Sequence, residues 1–81
     1  MIDQGFATVL RKLRLEKGLS QEAFAFEAGI HRTYVSQLER GLKSPSLKTI
    51  QKIATVLNIT LSELMALVEN EMNNEELSSS V

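Results

Sequence analysis

Four residues at fixed spacing in the stretch 21–41, QEAFAFEAGIHRTYVSQLERG, constrain the fold of this chain more than any other feature. The stretch reads as two short helices joined by a tight turn. Counted from its first glutamine, Ala25 is fifth, Gly29 ninth, Val35 fifteenth and Leu38 eighteenth. Two helices that cross steeply need a small residue where their backbones approach, and a sharp turn needs a residue that tolerates positive φ. The second helix also needs buried aliphatic side chains to hold it, which Val35 and Leu38 can provide. Two helices crossing at a tight turn therefore account for all four positions.

Apolar residues with helical spacing continue through the rest of the chain and predict five helices in all. The first is predicted over residues 2–17, where apolar side chains recur at i, i+3, i+4 and i+7: Phe6, Val9, Leu10 and Leu13. Ser20 is a good N-cap for the second helix, and Thr60 with Glu63 forms a T-x-x-E capping box for the fifth. No useful length alternates with a period of two, so the sequence predicts an all-α fold.

The length of 81 residues indicates one small domain. We expect it to span residues 1–72, including a C-terminal helix at about 61–72, and we expect the polar residues 73–81 to form a disordered tail. A domain of this size buries only a modest share of its surface, so pairing with a second copy would add stability.

The charges are divided unevenly between the two ends of the chain. The net charge is only −1, but residues 1–52 hold all nine lysines and arginines against five acidic residues. Residues 53–81 hold five acidic residues and no base. Such asymmetry suggests one surface for a polyanion and another surface kept away from it.

Several classes of function find no support in the composition. The chain has no cysteine and one histidine, so neither a disulfide nor a thiolate metal site is expected. No glycine-rich phosphate loop and no catalytic set of side chains is recognisable, so we expect neither a cofactor nor enzymatic activity. No apolar run reaches the roughly 18 residues of a membrane helix, and no signal-peptide pattern begins the chain. A cytoplasmic protein is therefore expected.

The spacing within residues 21–40 resembles that of the Cro/repressor-type (XRE-like) helix-turn-helix family, and the similarity extends over roughly residues 5–68. Within this family, HRTYVSQLERG is similar to the controller proteins of restriction-modification operons. The resemblance implies a compact five-helix, lambda-repressor-like domain that binds operator DNA as a homodimer. It further implies a regulator of its own gene and of a restriction endonuclease gene, with RNA polymerase as a further partner.

The resemblance also implies roles for individual residues. Base contacts in the major groove are expected from the polar face of the third helix: Arg32, Thr33, Ser36 and Gln37. Contacts to the DNA backbone are expected from six residues: Gln21, Tyr34, Lys43, Ser44, Ser46 and Lys48. Arg14 and Glu39 match the positions of an arginine–glutamate pair that ties the first helix to the end of the third.

The fifth helix carries more apolar side chains than one narrow buried face requires. These residues predict a dimer interface: Leu64, Met65, Leu67, Val68 and Met72. The alternative is a last helix that is buried within its own domain. Phe26 has no role in this scheme. It either packs against the first helix or is exposed.

Two other functions remain as alternatives. The same fold serves in antitoxins and phage-type repressors, where the domain also binds a protein partner. Co-purification with a partner, without salt-dependent DNA binding, would favour that class. A metabolic enzyme would instead require a carboxylate whose replacement abolishes an activity.

Overall fold

In the computed structural model the backbone is described for residues 1–79 and the side chains for residues 1–75. The chain forms five helices over this range: α1 (Ile2–Glu16), α2 (Gln21–Ala28), α3 (Arg32–Glu39), α4 (Leu47–Leu57) and α5 (Leu61–Ser79). No strand occurs within residues 1–79. The predicted all-α, five-helix fold is therefore confirmed.

Local side-chain chemistry explains where the helices begin. The hydroxyl oxygen of Ser20 accepts a hydrogen bond from the backbone N–H of Ala23 at 3.0 Å and so caps α2. At the start of α5, the Thr60 N–H donates to the Glu63 carboxylate at 2.9 Å, and the Glu63 N–H donates to the Thr60 hydroxyl at 3.0 Å. The predicted capping box is therefore present. Chiefly because the Thr60 N–H stabilises its ionised form, the pKa of Glu63 is lowered.

The core lies where all five helices converge. Its largest fully buried side chains come from every helix: Leu10, Phe24, Val35, Leu38, Ile53, Leu64 and Val68. Helix α1 packs on α3 and α5, and α2 packs on α3 and α4. Leu64 and Val68 are only 0% and 1% exposed, so their assignment to a dimer interface is corrected. They face the interior of their own domain, because α5 turns this side toward α1 and the core.

Helices α1 and α5 approach closely at Gly5. A Cβ built on Gly5 would lie 2.9 Å from Cγ of Met72 and 3.4 Å from the carbonyl oxygen of Val68. The missing side chain of Gly5 therefore allows this approach. Phe26, on the exposed side of α2, is 87% exposed and does not pack against α1.

Helix α5 also continues beyond the predicted boundary at residue 72. Residues 73–79 are helical, where the sequence analysis expects a disordered tail, and residues 80 and 81 lie outside the described residues. No glycine or proline interrupts the helix here. The Glu75 carboxylate also lies 3.9 Å from the amino group of Met1.

Over the described part of the chain, no helix taken alone is both long and apolar enough to cross a membrane. Helices α4 and α5 reach that length and apolarity only when joined, and they meet at an angle of 100°.

Candidate nucleic-acid interface

One face of helix α3 packs against the core, and the opposite face is open to solvent. Val35 and Leu38 are both 0% exposed and anchor the helix in the core. The four side chains predicted to read bases lie on other faces of the helix: Arg32, Thr33, Ser36 and Gln37. Arg32 and Thr33 are exposed, whereas the other two are half-buried. Tyr34 is also half-buried and packs against the core, so only part of its ring is available to a ligand.

Arg14 and Glu39 form the ion pair that the resemblance implies. Nε of Arg14 donates to Oε2 of Glu39 at 2.6 Å, and Nη2 donates to Oε1 at 2.9 Å. A third donor, Nη1, binds the carbonyl oxygen of Leu19 at 2.7 Å. The two side chains are 8% and 3% exposed. The hydrogen bond to Glu39 raises the pKa of Arg14, although burial opposes it. The pair joins α1 to the end of α3.

Gln21 lies at the first position of α2 and is half-buried. Its Nε2 donates a hydrogen bond to Oε1 of Glu39 at 3.1 Å. The residue predicted to bind a DNA phosphate is thus attached to the same carboxylate that Arg14 binds. Sequence reasoning missed this bond, because the two residues are 18 positions apart and nothing in the sequence pairs them.

The loop between α3 and α4 holds the other predicted backbone contacts. The Ser44 hydroxyl donates to Oδ1 of Asp3 at 2.6 Å. Ser46 caps α4, because its hydroxyl oxygen accepts a hydrogen bond from the backbone N–H of Thr49 at 3.2 Å. The same hydroxyl donates to the Thr49 hydroxyl oxygen at 3.0 Å. These two serines therefore already have partners within the chain.

Two lysines flank the same loop and remain available to an anion. Lys43 and Lys48 are exposed, and neither forms an ion pair among residues 1–75. They are the stronger candidates for phosphate contacts in this region.

The contact between Asp3 and Ser44 spans 41 positions, so no local sequence signal could have revealed it.

An apolar groove runs between α4 and α5. It is lined by Leu47, Ile50, Leu61 and Met65, with Lys48 and Gln51 beside them. Leu47 is 84% exposed and Leu61 is 47% exposed. Of the predicted interface residues, only Met65 lines this groove, whereas Leu67 is partly exposed elsewhere and Met72 packs against the core. Ile50 is half-buried and packs against the core, whereas Leu47 extends into solvent.

A family model described as helix-turn-helix matches residues 10–64. The chain belongs to the helix-turn-helix family. The match includes α2 and α3 entire, together with the Arg14–Glu39 pair that connects them to α1.

Two of the similar proteins are named as control or controller proteins. Control protein C.MunI from Mycoplasma sp is 48% identical over 67 residues, which cover 82% of this chain and 90% of that protein. The restriction-modification controller C.AhdI from Aeromonas hydrophila is also 48% identical, with a TM-score of 0.74 over 76% of this chain and 94% of that chain. The expected resemblance to restriction-modification controllers is therefore confirmed.

A third similar structure contains DNA. It is the controller C.Esp1396I, described as a tetramer in complex with its natural 35 base-pair operator. It is 28% identical to this chain, with a TM-score of 0.80 over 88% of this chain and 93% of that one.

The helix-turn-helix unit of this chain consists of α2, the turn and α3. Gly29 ends α2 with φ 68° and ψ 35°, a left-handed conformation that glycine adopts without steric cost. Ala25 is 3% exposed and lies in the core beside Val35 and Leu38. All four positions singled out in the sequence thus occupy the places that the motif requires.

Proposed function

We propose that this protein is a sequence-specific DNA-binding transcriptional regulator that acts as a homodimer on a near-palindromic operator. The strongest support is the contrast between the two faces of α3. Val35 and Leu38 are fully buried, while Arg32 and Thr33 face solvent. A helix held in this way can enter the major groove without giving up its attachment to the core.

Base recognition would come from the polar face of α3. Arg32 has the fork of donors that binds O6 and N7 of guanine, and Gln37 can pair with adenine through its amide. Thr33 and Ser36 add hydroxyls that can bind several base edges. Each good bidentate pair contributes about 1–3 kcal/mol of discrimination against the wrong base.

Contacts to the sugar-phosphate backbone would orient α3 without reading sequence. Gln21 lies at the N-terminus of α2, where unpaired backbone N–H groups favour an anion. Lys43 and Lys48 add positive charge around the loop before α4. Tyr34 adds a further contact through the exposed part of its side chain.

The groove between α4 and α5 is the surface on which we place the dimer. A second copy related by a two-fold axis would cover the exposed Leu47 and Leu61 of each chain, which otherwise lie open to water. Two copies of α3 would then enter successive major grooves about 34 Å apart.

Sedimentation tests this placement of the dimer interface. Leu61→Gln should yield monomers, whereas Leu15→Gln, at a similarly exposed leucine of α1, should leave the dimer unchanged. If Leu61→Gln stays dimeric and Leu67→Gln becomes monomeric, the interface lies along the outer face of α5 instead.

The relatives named as restriction-modification controllers support a narrower role. We propose that the protein regulates its own gene and a neighbouring restriction endonuclease gene in the cytoplasm, with RNA polymerase as the partner in activation. Genes for a methyltransferase and a nuclease beside its own would support this role, whereas a toxin gene would favour an antitoxin.

Selection of bound sequences from a random DNA pool provides the main test of the proposed function. Arg32→Ala should relax the base preference at one position in each half-site of the selected operator. The charge-matched variant Arg32→Lys should retain non-specific affinity but lose guanine preference, because lysine lacks the bidentate fork. If Arg32→Ala weakens binding to all sequences equally, Arg32 contacts a phosphate and the base assignment is wrong.

A further inference from the structure

We infer that Glu39 is a positioning residue for DNA binding, because it orients the side-chain amide of Gln21 toward a phosphate. This inference rests on the proposed function, in which Gln21 contacts the DNA backbone. It adds a role for Glu39 beyond its ion pair with Arg14, and it makes one carboxylate the junction of three helices.

The geometry places two donors on one carboxylate oxygen. Oε1 of Glu39 accepts from Nη2 of Arg14 at 2.9 Å and from Nε2 of Gln21 at 3.1 Å. Oε2 accepts from Nε of Arg14 at 2.6 Å. The Glu39 side chain is 3% exposed, so water contributes little to its solvation, and these donors hold the carboxylate in one place.

The chemistry of a carboxylate determines which way the Gln21 amide faces. An ionised carboxylate only accepts hydrogen bonds, so Gln21 must present its NH₂ group to Glu39 and turn its carbonyl oxygen away. The NH₂ group carries two hydrogens. One donates to Glu39, and the other remains free to donate to a phosphate oxygen.

The position of Gln21 makes this orientation useful. Gln21 is the first residue of α2, where the opening N–H groups have no partner within the helix. Ser20 binds the N–H of Ala23, which leaves the N–H groups of Gln21 and Glu22 for an external anion. An oriented amide beside these groups forms a binding surface before DNA arrives, so less side-chain freedom is lost on binding.

The hydrogen bond between Gln21 and Glu39 also couples base recognition by α3 to the proposed contact of α2 with the DNA backbone. Glu39 is the last residue of the recognition helix α3, and Gln21 begins α2. Any shift of α3 in the major groove would move the carboxylate that orients the phosphate contact. The side chains that read bases and the one that binds phosphate therefore keep a common register.

A double-mutant cycle on DNA affinity tests this coupling. Gln21→Met has a similar length but no hydrogen-bonding groups, and Glu39→Gln keeps the size while losing the charge that imposes one amide orientation. Each single variant should weaken binding to the selected operator duplex about 10-fold in fluorescence anisotropy, the scale of one hydrogen bond to a charged group. The double variant should be no weaker than about 10-fold, because both changes remove the same phosphate contact.

Independent losses that multiply to about 100-fold in the double variant would overturn the inference. Each variant is first shown to be folded by circular dichroism at the temperature of the binding assay.

Relaxation of side-chain amide ¹⁵N nuclei in the free wild-type protein needs no variant. The Gln21 amide should be as rigid as backbone, with an order parameter near 0.85, while the exposed Asn70 amide should fall below about 0.6. A Gln21 amide as mobile as that of Asn70 would overturn the positioning role even if the protein binds DNA. Failure of the wild-type chain to bind any duplex would overturn the proposed function, and the positioning role with it, whatever the rigidity of the amide.

Discussion

Replacing Arg14 with methionine should lower the free energy of unfolding by about 3–5 kcal/mol, since it leaves the Glu39 carboxylate buried without its charge partner. Methionine retains much of the volume of arginine but has no donor. The variant therefore removes the charge and three hydrogen bonds while creating little empty space.

The size of this effect follows from burial. Exposed ion pairs contribute about 0–1 kcal/mol, because water solvates the partner that remains. Here the side chains of Arg14 and Glu39 are 8% and 3% exposed, so water cannot replace the lost donors. In the variant, Glu39 keeps only the bond from Gln21, and the carbonyl oxygen of Leu19 also loses its side-chain donor.

The loss would be a large share of the total stability. A domain of 81 residues typically has about 4–12 kcal/mol of stability. A loss of 3 kcal/mol or more would lower the melting temperature by more than about 10 °C. Far-UV circular dichroism during urea unfolding at pH 7 and 25 °C measures the change, at one protomer concentration because dimerisation contributes to stability.

Two controls separate the buried charge from other effects. Arg11→Met makes the same substitution at an exposed position of α1 and should change stability by less than about 0.5 kcal/mol. Adding Glu39→Met to Arg14→Met should restore part of the loss, because the unpaired charge is then absent. A loss below about 1 kcal/mol for Arg14→Met, or one equal to that of Arg11→Met, would refute the reasoning.

Three further predictions follow from individual contacts. Because the pKa of Glu63 is lowered on folding, its stabilising effect is present above about pH 4.3 and is lost as the pH falls through the folded-state value. Glu63→Gln, which can keep the bond from Thr60 without ionising, should flatten this acid dependence in urea titrations, and an unchanged dependence would contradict the assignment. Lys43→Ala should weaken binding to every DNA sequence and reduce the slope of log K against log salt by about 0.9, whereas an unchanged slope would exclude a phosphate contact. Gly29→Ala should cost about 1–2 kcal/mol in urea unfolding although a Cβ would meet nothing within 4 Å, because φ is 68°; no loss would show that the turn adjusts.

The features that could be predicted from the sequence are those settled by nearby residues. The capping box of Thr60 and Glu63, the left-handed Gly29 and the polar face of α3 all depend on residues within one or two turns of each other. The ion pair of Arg14 and Glu39 spans 25 positions, and it came from the family resemblance rather than from local chemistry.

Errors occurred where a face had to be matched with a distant neighbour. The pattern of α5 indicates an apolar side but not what covers it. The sequence therefore predicts Leu64 and Val68 in a dimer interface, although α1 and the core cover them. The exposed groove of Leu47 and Leu61 was missed for the same reason. The sequence analysis ends α5 at about residue 72, whereas the helix continues to Ser79. The contact of Glu75 with the amino group of Met1 cannot be seen in a local pattern.

By itself, the sequence determined the helix-turn-helix unit and the chemistry of its exposed face, because spacing and capping act within about twenty residues. Only the tertiary structure decided how that unit is held. It placed Glu39 between Arg14 and Gln21, tied Ser44 to Asp3, and brought α5 against Gly5. Each of these contacts joins residues far apart in the chain, and burial gives them their strength. Neither the proximity nor the burial exists until the helices have packed.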